Sequence, residues 1–563
     1  MANLFAKEGE KAILLGNEAI VRGALESGVN FVSTYPGTPA SEIGNIFSKI
    51  AKQAGVYFEF STNEKVAVEV GVGASFSGLK TLMAMKNFGL NVALDSLAPF
   101  VYTGSKGPAV IVVADDPNCH SSAQSEENTR PMADLIHIPI LEPADPQECL
   151  DFMKLAFEIS EKFQIPIMVR TTTRVAHQSA PVVLGKIASS QPQFSKGRFV
   201  RDQRRFVTMP PRVLEMKKEL FEKIEKIRDF AEGSPANRLE GQKSEKIGII
   251  ASGISYLYVK EALKELELDL PVLKLGNFYP MPVKKIGDFI KGLQKVLVAE
   301  ELEGFMENSV RGLAKDINPG LEIHGKDLLP VVGELKPEYV VSALAKVVGK
   351  EFSVQNPMTN ATAIKHLPRF CPGCPYHTVF AAIKKNAPEG TVFGGDIGCY
   401  MLGSVAPQSL YDYLFSMGSS LGIGHGIAKA TGQKAITFIG DSTFFHAGLP
   451  PLINAIFNKS NPIVIILDNG TTAMTGHQPH PGTSVRKEEE YKFEWEGREE
   501  NSTTPERPIS LEEIVKACGV KNLKVVDSFN LKQMEEAVKE FLPKEEVSVI
   551  IARGICALLV KKI

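Results

Sequence analysis

No stretch of this sequence reaches the about 18 uninterrupted apolar residues that a membrane-spanning helix needs. Residues 1–10 hold no apolar signal region, so a cytoplasmic protein with no membrane partner is expected. Charge of one sign is also missing. The formal net charge is −2, which offers no basic surface to nucleic acid or to an anionic membrane. Cysteine is scarce, with seven residues scattered over 563, and that excludes a disulfide framework.

What is there reads as an ordinary globular α/β chain. Hydrophobic residues make up 44% and charged residues 23%, within the normal range. At roughly 100–200 residues per domain, the length predicts about three or four domains. Apolar runs of strand length, at Phe31–Thr34, 109–114, Ile247–Ala251, 436–440 and Ile463–Asp468, alternate with helical patterns. Several are nearly continuous Val and Ile, as parallel strands covered on both faces require. Residues 1–180 read as one α/β domain and 181–243 as a connector with a charged helix at 213–232. Residues 244–350 read as a smaller α/β domain, 351–367 as a linker, and 368–563 as a third α/β domain. The polar, charged stretch 485–508 reads as an exposed loop.

The chemistry starts at Gly440-Asp441-Ser442-Thr443, which ends one apolar run, and at Asp468-Asn469-Gly470-Thr471, which ends the next. Asn469 follows Asp441 by 28 positions. The pair resembles the thiamine diphosphate motif, Gly-Asp-Gly followed by Asn, with Ser442 in place of the second glycine. Mg²⁺ takes oxygen ligands and is held by one or two protein groups plus phosphates. Asp441 and Asn469 supply side-chain oxygens, and the Thr471 carbonyl a third ligand. Gly440 lets a diphosphate approach the backbone, and the amides near Ser442 and Thr443 can bond it. Asp and Asn also favour plain strand-end turns.

Thiamine diphosphate also needs a carboxylic acid against its pyrimidine ring to poise it for losing a proton. Glu64, in Asn63-Glu64-Lys65 before a small-residue helix, is the choice. Glu59 and Glu69 are rivals, and a glutamate at a helix start can simply favour the dipole. The segments Tyr35-Pro36-Gly37-Thr38-Pro39, Asn63-Glu64-Lys65, Ala114-Asp115-Asp116-Pro117 with Cys119-His120-Ser121-Ser122, and Thr471-Thr472-Ala473-Met474-Thr475-Gly476-His477-Gln478-Pro479 carry a wider likeness. Over residues 10–560 the chain resembles the α subunit of indolepyruvate:ferredoxin oxidoreductase, within the 2-oxoacid:ferredoxin oxidoreductases.

That resemblance implies two parallel-sheet domains binding the pyrimidine and the diphosphate, with a middle domain like the C-terminal domain of transketolases. It places Tyr35, Pro36, Gly37 and Met474 at the cofactor and Thr38 at the substrate. Cys371-Pro-Gly-Cys374 alone is ambiguous between zinc, a redox thiol and iron–sulfur. The resemblance gives Cys371, Cys374, Cys399 and Cys556 the ligand role for one [4Fe–4S] cluster, which needs four thiolates. Cys119, Cys149 and Cys518 read as structural. The family's C-terminal ferredoxin-like module carries paired cysteine runs, and this sequence holds none. Electrons are then expected to leave through the single cluster, a partner subunit or a separate ferredoxin.

For the substrate, Arg130 is a weaker candidate for a carboxylate. His120 and His477 could move protons or serve as hydrogen-bonded structural residues. Specificity for an aryl group needs an aromatic-lined pocket, and Phe444, Phe445 and Tyr400 are the candidates to line it. The implied reaction is oxidative decarboxylation of an aryl 2-oxo acid of the indolepyruvate or phenylpyruvate type. It would form the acyl-coenzyme A in an α₂β₂ assembly with a smaller β subunit, and pass electrons to ferredoxin. A non-oxidative thiamine-dependent decarboxylase or lyase is the alternative, and a non-catalytic scaffold a third.

Overall fold

The computed structural model describes residues 2–188, 196–241, 246–352, 368–483 and 508–560. Most of the expected linker 351–367 and nearly all of the expected loop 485–508 lie outside the described residues. The chain divides into two compact units, residues 1–359 and 360–563.

The first unit is built on a seven-stranded sheet. Its order is Asn277–Tyr279, Ile140–Leu141, Ile167–Thr172, Ala109–Asp115, Thr81–Lys86, Phe31–Thr34 and Tyr57–Phe60. All neighbours are parallel except Asn277–Tyr279 on Ile140–Leu141. The central strand Ala109–Asp115 is buried along its whole length, which is why its sequence does not alternate. The helix Glu64–Phe76 opens at a side-chain cap, where Asn63 accepts from the Val66 N–H at 2.9 Å.

A second sheet runs Glu322–His324, Lys295–Ala299, Ile247–Ala251, Val272–Leu275, Asn237–Glu240, with only the last strand antiparallel. The sheets cross the boundaries expected from sequence. Ser179–Val183 pairs back onto Lys11–Leu15, Asn237–Glu240 belongs to the second sheet, and Asn277–Tyr279 extends the first. The expected connector helix is Arg212–Gly233. The second unit has one all-parallel sheet, ordered Tyr413–Leu414, Val392–Gly395, Ala435–Gly440, Ile463–Asp468, Ser548–Arg553, Asn522–Asp527. No helix among the described residues is long and apolar enough to cross a membrane.

A buried ionic network joins the two sheets of the first unit. Arg130 donates from Nε and Nη2 to both oxygens of Glu142, at 2.7 and 2.6 Å, and from Nη1 to Glu300 at 3.0 Å. Its guanidinium also lies over the Phe278 ring. Arg170 bonds Asp115 at 2.8 Å and Glu142 at 3.2 Å, and the Ser252 hydroxyl donates to Glu142 at 2.8 Å. This corrects the expectation for Arg130. It is 1% exposed, and its fork is filled by carboxylates of the protein itself, so it is not placed to receive one from a substrate.

The same network sets two carboxyl groups apart. Burial pushes Glu142 up, but the facing Arg130 and Arg170 outweigh it and hold the group down at about 2. For Glu301, burial outweighs Arg170 and Arg130 and lifts the group to about 7. A carboxyl raised on folding gives stability that is full below its unfolded value and is lost as pH rises through the folded one. Glu301→Gln mimics the protonated form. Its stability relative to the parent is therefore expected to improve by about 1–3 kcal/mol between pH 5 and pH 8. Melting curves at both pH values check this, and an equal gap at the two would refute it.

Candidate functional site

In the second unit, Ala435–Gly440 and Ile463–Asp468 are parallel neighbours with Gly440 opposite Leu467. Asp441 and Asn469 therefore leave the sheet at the same end, the carboxyl end at which open α/β sheets bind ligands. Asp441 is 3% exposed and collects backbone donors from both strand ends. Oδ1 accepts from the Ser442 N–H at 2.8 Å, and Oδ2 accepts from Asn469 at 3.0 Å and Gly470 at 2.7 Å. His480 Nε2 lies 3.2 Å from Oδ2. Burial alone would raise this carboxyl. The His480 charge and the N–H donors outweigh it, so Asp441 sits below the usual range and is ionised.

Asn469 is tied in from both ends of its amide. Nδ2 donates to the Tyr376 hydroxyl at 2.8 Å, and Oδ1 accepts from the Thr471 N–H at 3.0 Å. Ser442, the departure from the glycine of the motif, accepts a bond from the Thr472 hydroxyl at 2.8 Å. Thr443 donates to the Ile397 carbonyl at 3.1 Å and accepts from the Tyr400 hydroxyl at 3.1 Å. Gly440 is needed for that packing, because a Cβ there would come within 2.7 Å of the Tyr400 ring. Asp441, Ser442, Thr443, Asn469 and Thr471 thus converge on one strand-end site.

Other expected residues fall around it. His477 adopts φ +63° and closes a turn by donating its N–H to the Thr472 carbonyl at 2.9 Å. Burial lowers its imidazole pKa, so the ring is neutral near pH 7. Met474 is 45% exposed. Phe444 is fully buried in an apolar cluster and Tyr400 is nearly so. Phe445 alone of the three is partly exposed, with its ring 5.7 Å from that of His480. Sequence reasoning missed His480. Its only signal was a second histidine three places beyond His477.

The four expected cysteines come from three chain segments and converge. Cys371 and Cys374 share a turn through a 3.0 Å N–H···O bond, and a Cβ added at Gly373 within it would lie 3.8 Å from Ala557. Cys399 lies near enough to feel the charge of Cys556, Cys374 and Cys371, and Cys374 that of Cys371 and Cys556. Burial and these neighbours push Cys374 up to about 11 and Cys399 up to about 12. Among the described residues, no three His, Cys, Asp or Glu side chains lie close enough to hold one metal ion.

In the first unit, Glu64 is 6% exposed at the start of its helix. It packs on Gly89, where any Cβ would come within 2.6 Å of its Cγ. Glu59 takes the hydroxyls of Tyr57 and Ser61, both at 2.8 Å, and Glu69 is exposed and takes that of Ser96 at 2.8 Å. The turn Tyr35-Pro36-Gly37-Thr38-Pro39 is held by Asn17, which donates to the Pro39 carbonyl at 2.7 Å. Thr38 Oγ1 lies 3.5 Å from Ser41 Oγ. Gly37 lies against the stem of Lys86, a residue that sequence reasoning did not single out. His120 Nε2 lies 3.4 Å from Glu334.

Three family models match the chain in series. Pyruvate flavodoxin/ferredoxin oxidoreductase, thiamine diphosphate-binding, covers residues 22–225. An indolepyruvate oxidoreductase domain covers 237–366, and the C-terminal TPP-binding domain of thiamine pyrophosphate enzymes covers 396–552. The indolepyruvate oxidoreductase subunit IorA of Methanothermobacter thermautotrophicus is 45% identical over 99% of this chain and 88% of its own. The IorA subunit of Pyrococcus horikoshii is 42% identical over 99% of this chain and 87% of its own. A solved 2-oxoglutarate:ferredoxin oxidoreductase from Magnetococcus marinus is more distant, with 18% identity over 61% of this chain and 66% of its own and a TM-score of 0.49. With full-length likeness to curated subunits and thiamine-binding domains at both ends, the chain belongs to the indolepyruvate oxidoreductase IorA family of thiamine diphosphate-dependent enzymes.

Proposed function

We propose that this chain is the catalytic subunit of an enzyme that oxidatively decarboxylates an aryl 2-oxo acid to its acyl-coenzyme A. Electrons pass through one [4Fe–4S] cluster to ferredoxin, and a smaller β subunit completes an α₂β₂ assembly. The observation that carries the reading is the ionised Asp441 beside Asn469 at two adjacent strand ends. The aryl substrate is taken from the indolepyruvate named in the relatives.

Asp441, Asn469 and the Thr471 carbonyl would hold Mg²⁺. All three offer oxygen, the donor type that this cation selects. The amides around Ser442 and Thr443, at the start of a helical turn, would receive the diphosphate. When bound, thiamine diphosphate supplies a nucleophilic carbon and an electron sink for the substrate's carbonyl. Glu64 would hold a proton against the pyrimidine ring, and its packing on Gly89 fixes where that carboxyl points. The neutral imidazole of His477 could accept a proton. Thr38 would offer its hydroxyl to the substrate.

The four thiols fit a cluster better than a single zinc. A zinc site gathers its ligands around one ion, and no three of these residues are that close among the described residues. A [4Fe–4S] cluster spreads its ligands over separate irons. The positive charge of iron would also offset the burial, and the neighbouring thiols, that raise Cys374 and Cys399.

Two experiments test the reading. Protein purified without oxygen is expected to carry about four irons and four sulfides per chain. It should reduce a viologen dye with indolepyruvate or phenylpyruvate and coenzyme A. Cys399→Ser should abolish dye reduction and leave thiamine diphosphate binding intact. Aldehyde release with no dye reduction would point to the non-oxidative alternative. Second, Glu64→Gln is expected to lower kcat by about 100-fold with little change in cofactor affinity. Asp441→Ala should weaken magnesium-dependent cofactor binding by about 100-fold. Titrations of cofactor and steady-state rates separate the two effects, and unchanged cofactor affinity in Asp441→Ala would sink the metal assignment.

A further inference from the structure

A 2-oxo acid brings an anion into the site, and Arg130, the cation expected to receive it, is filled by Glu142 and Glu300. Lys86 is not filled. It ends the strand Thr81–Lys86, next to the central one, at the carboxyl edge of the first unit's large sheet, and its side chain is half-buried. The stem lies against Gly37, where a Cβ would come within 2.9 Å of its Cγ. Its ammonium donates to two neutral oxygens, the Ser121 carbonyl at 3.1 Å and the Ser122 hydroxyl at 2.9 Å. It also lies 4.9 Å from the centre of the Phe88 ring.

An ammonium has three donors, and these bonds use two. The carboxylates it feels through space include Asp116 and Glu64. Asp116 is committed elsewhere, to the Ser121 N–H, the Ser122 hydroxyl and the Thr173 hydroxyl. Lys86 also stands at the N-cap of the 17-residue helix Asn87–Thr103 and offers it no side-chain cap. Free N–H groups and the helix dipole favour an anion there. The first residue of that helix, Asn87, is fully buried, and neither atom of its side-chain amide has a hydrogen-bond partner among the described residues.

We propose that Lys86, with the uncapped start of helix Asn87–Thr103, holds the carboxylate of the 2-oxo acid substrate. This rests on the 2-oxo acid reading above and names the group that binds the acid. One fact favours a carboxylate over the cofactor's diphosphate. Lys86 lies beside Gly37, in the turn that carries Thr38, and within electrostatic range of Glu64. Burial lowers the Lys86 ammonium below its ordinary value, and an incoming carboxylate would restore what desolvation takes away.

The test compares an acid with its neutral twin in the assembled enzyme. KM for phenylpyruvate and the inhibition constant of its methyl ester are measured for the wild type, Lys86→Met and Lys86→Arg. The wild type is expected to favour the acid by at least about 100-fold. Lys86→Met should collapse that preference to within about threefold, and Lys86→Arg should keep at least about tenfold. The thiamine diphosphate activation constant and the KM for coenzyme A should stay within about threefold in both variants, which shows an intact fold. The assignment fails if Lys86→Met retains the preference, or if acid and ester weaken together. A wild type that turns over no 2-oxo acid fails the underlying reading, and the assignment with it, before any variant is compared.

Discussion

Asp441 accepts N–H bonds from its own strand end and from the next one, so a single carboxylate holds Ser442, Asn469 and Gly470 in place. A hydrogen bond to an ionised group contributes about 1.5–3 kcal/mol, roughly twice a neutral one. Three such bonds on one buried group make the geometry of both loops conditional on its charge. The remaining contacts follow from that placement. Asn469 is set against Tyr376, Thr471 against Asn469, and Thr472 against the Ser442 hydroxyl. The serine in the motif's glycine position is therefore not idle, since it accepts a bond that a glycine could not.

The first unit works differently. The loop after its strand Ala109–Asp115 is braced by the second sheet's domain. Glu126 accepts the Gly333 N–H at 2.9 Å, and Glu334 takes Arg174 at 2.7 Å and lies 3.4 Å from His120. Leu335 in turn donates its N–H to Glu301 at 3.3 Å. Through Glu301 this brace continues the Arg130 network that ties the two sheets. The middle domain has no residue among those expected to do chemistry. Its physical contribution is to fix the loop that supplies the Ser121 and Ser122 oxygens to Lys86.

Much of this was legible in the sequence where the signal is local. Fully buried parallel strands read as Val and Ile runs, and Ile247–Ala251 and Ile463–Asp468 begin and end where their apolar runs do. Asp441 and Asn469 were legible because strand-end chemistry leaves a spacing. The sheet-crossing strand Asn277–Tyr279 was not, because three residues carry no period and its partner is 136 positions and more away in the chain. His480 was not, because it reaches Asp441 only through the turn that His477 makes at positive φ. A motif scan sees residue order and is blind to such a reversal.

Arg130 and Lys86 show where residue type stops being informative. Both are cations near carboxylates, and an arginine is the natural guess for binding an acid. A guanidinium is a rigid fork whose five donors match carboxylates in pairs. Buried among Glu142 and Glu300, it is completed by the protein, and removing either partner would leave a charge stranded. An ammonium is a point charge with three rotating donors. Bound to a carbonyl and a hydroxyl, it is oriented but not neutralised. Only the count of partners, which folding decides, separates a cation that the fold consumes from one that it leaves for a ligand.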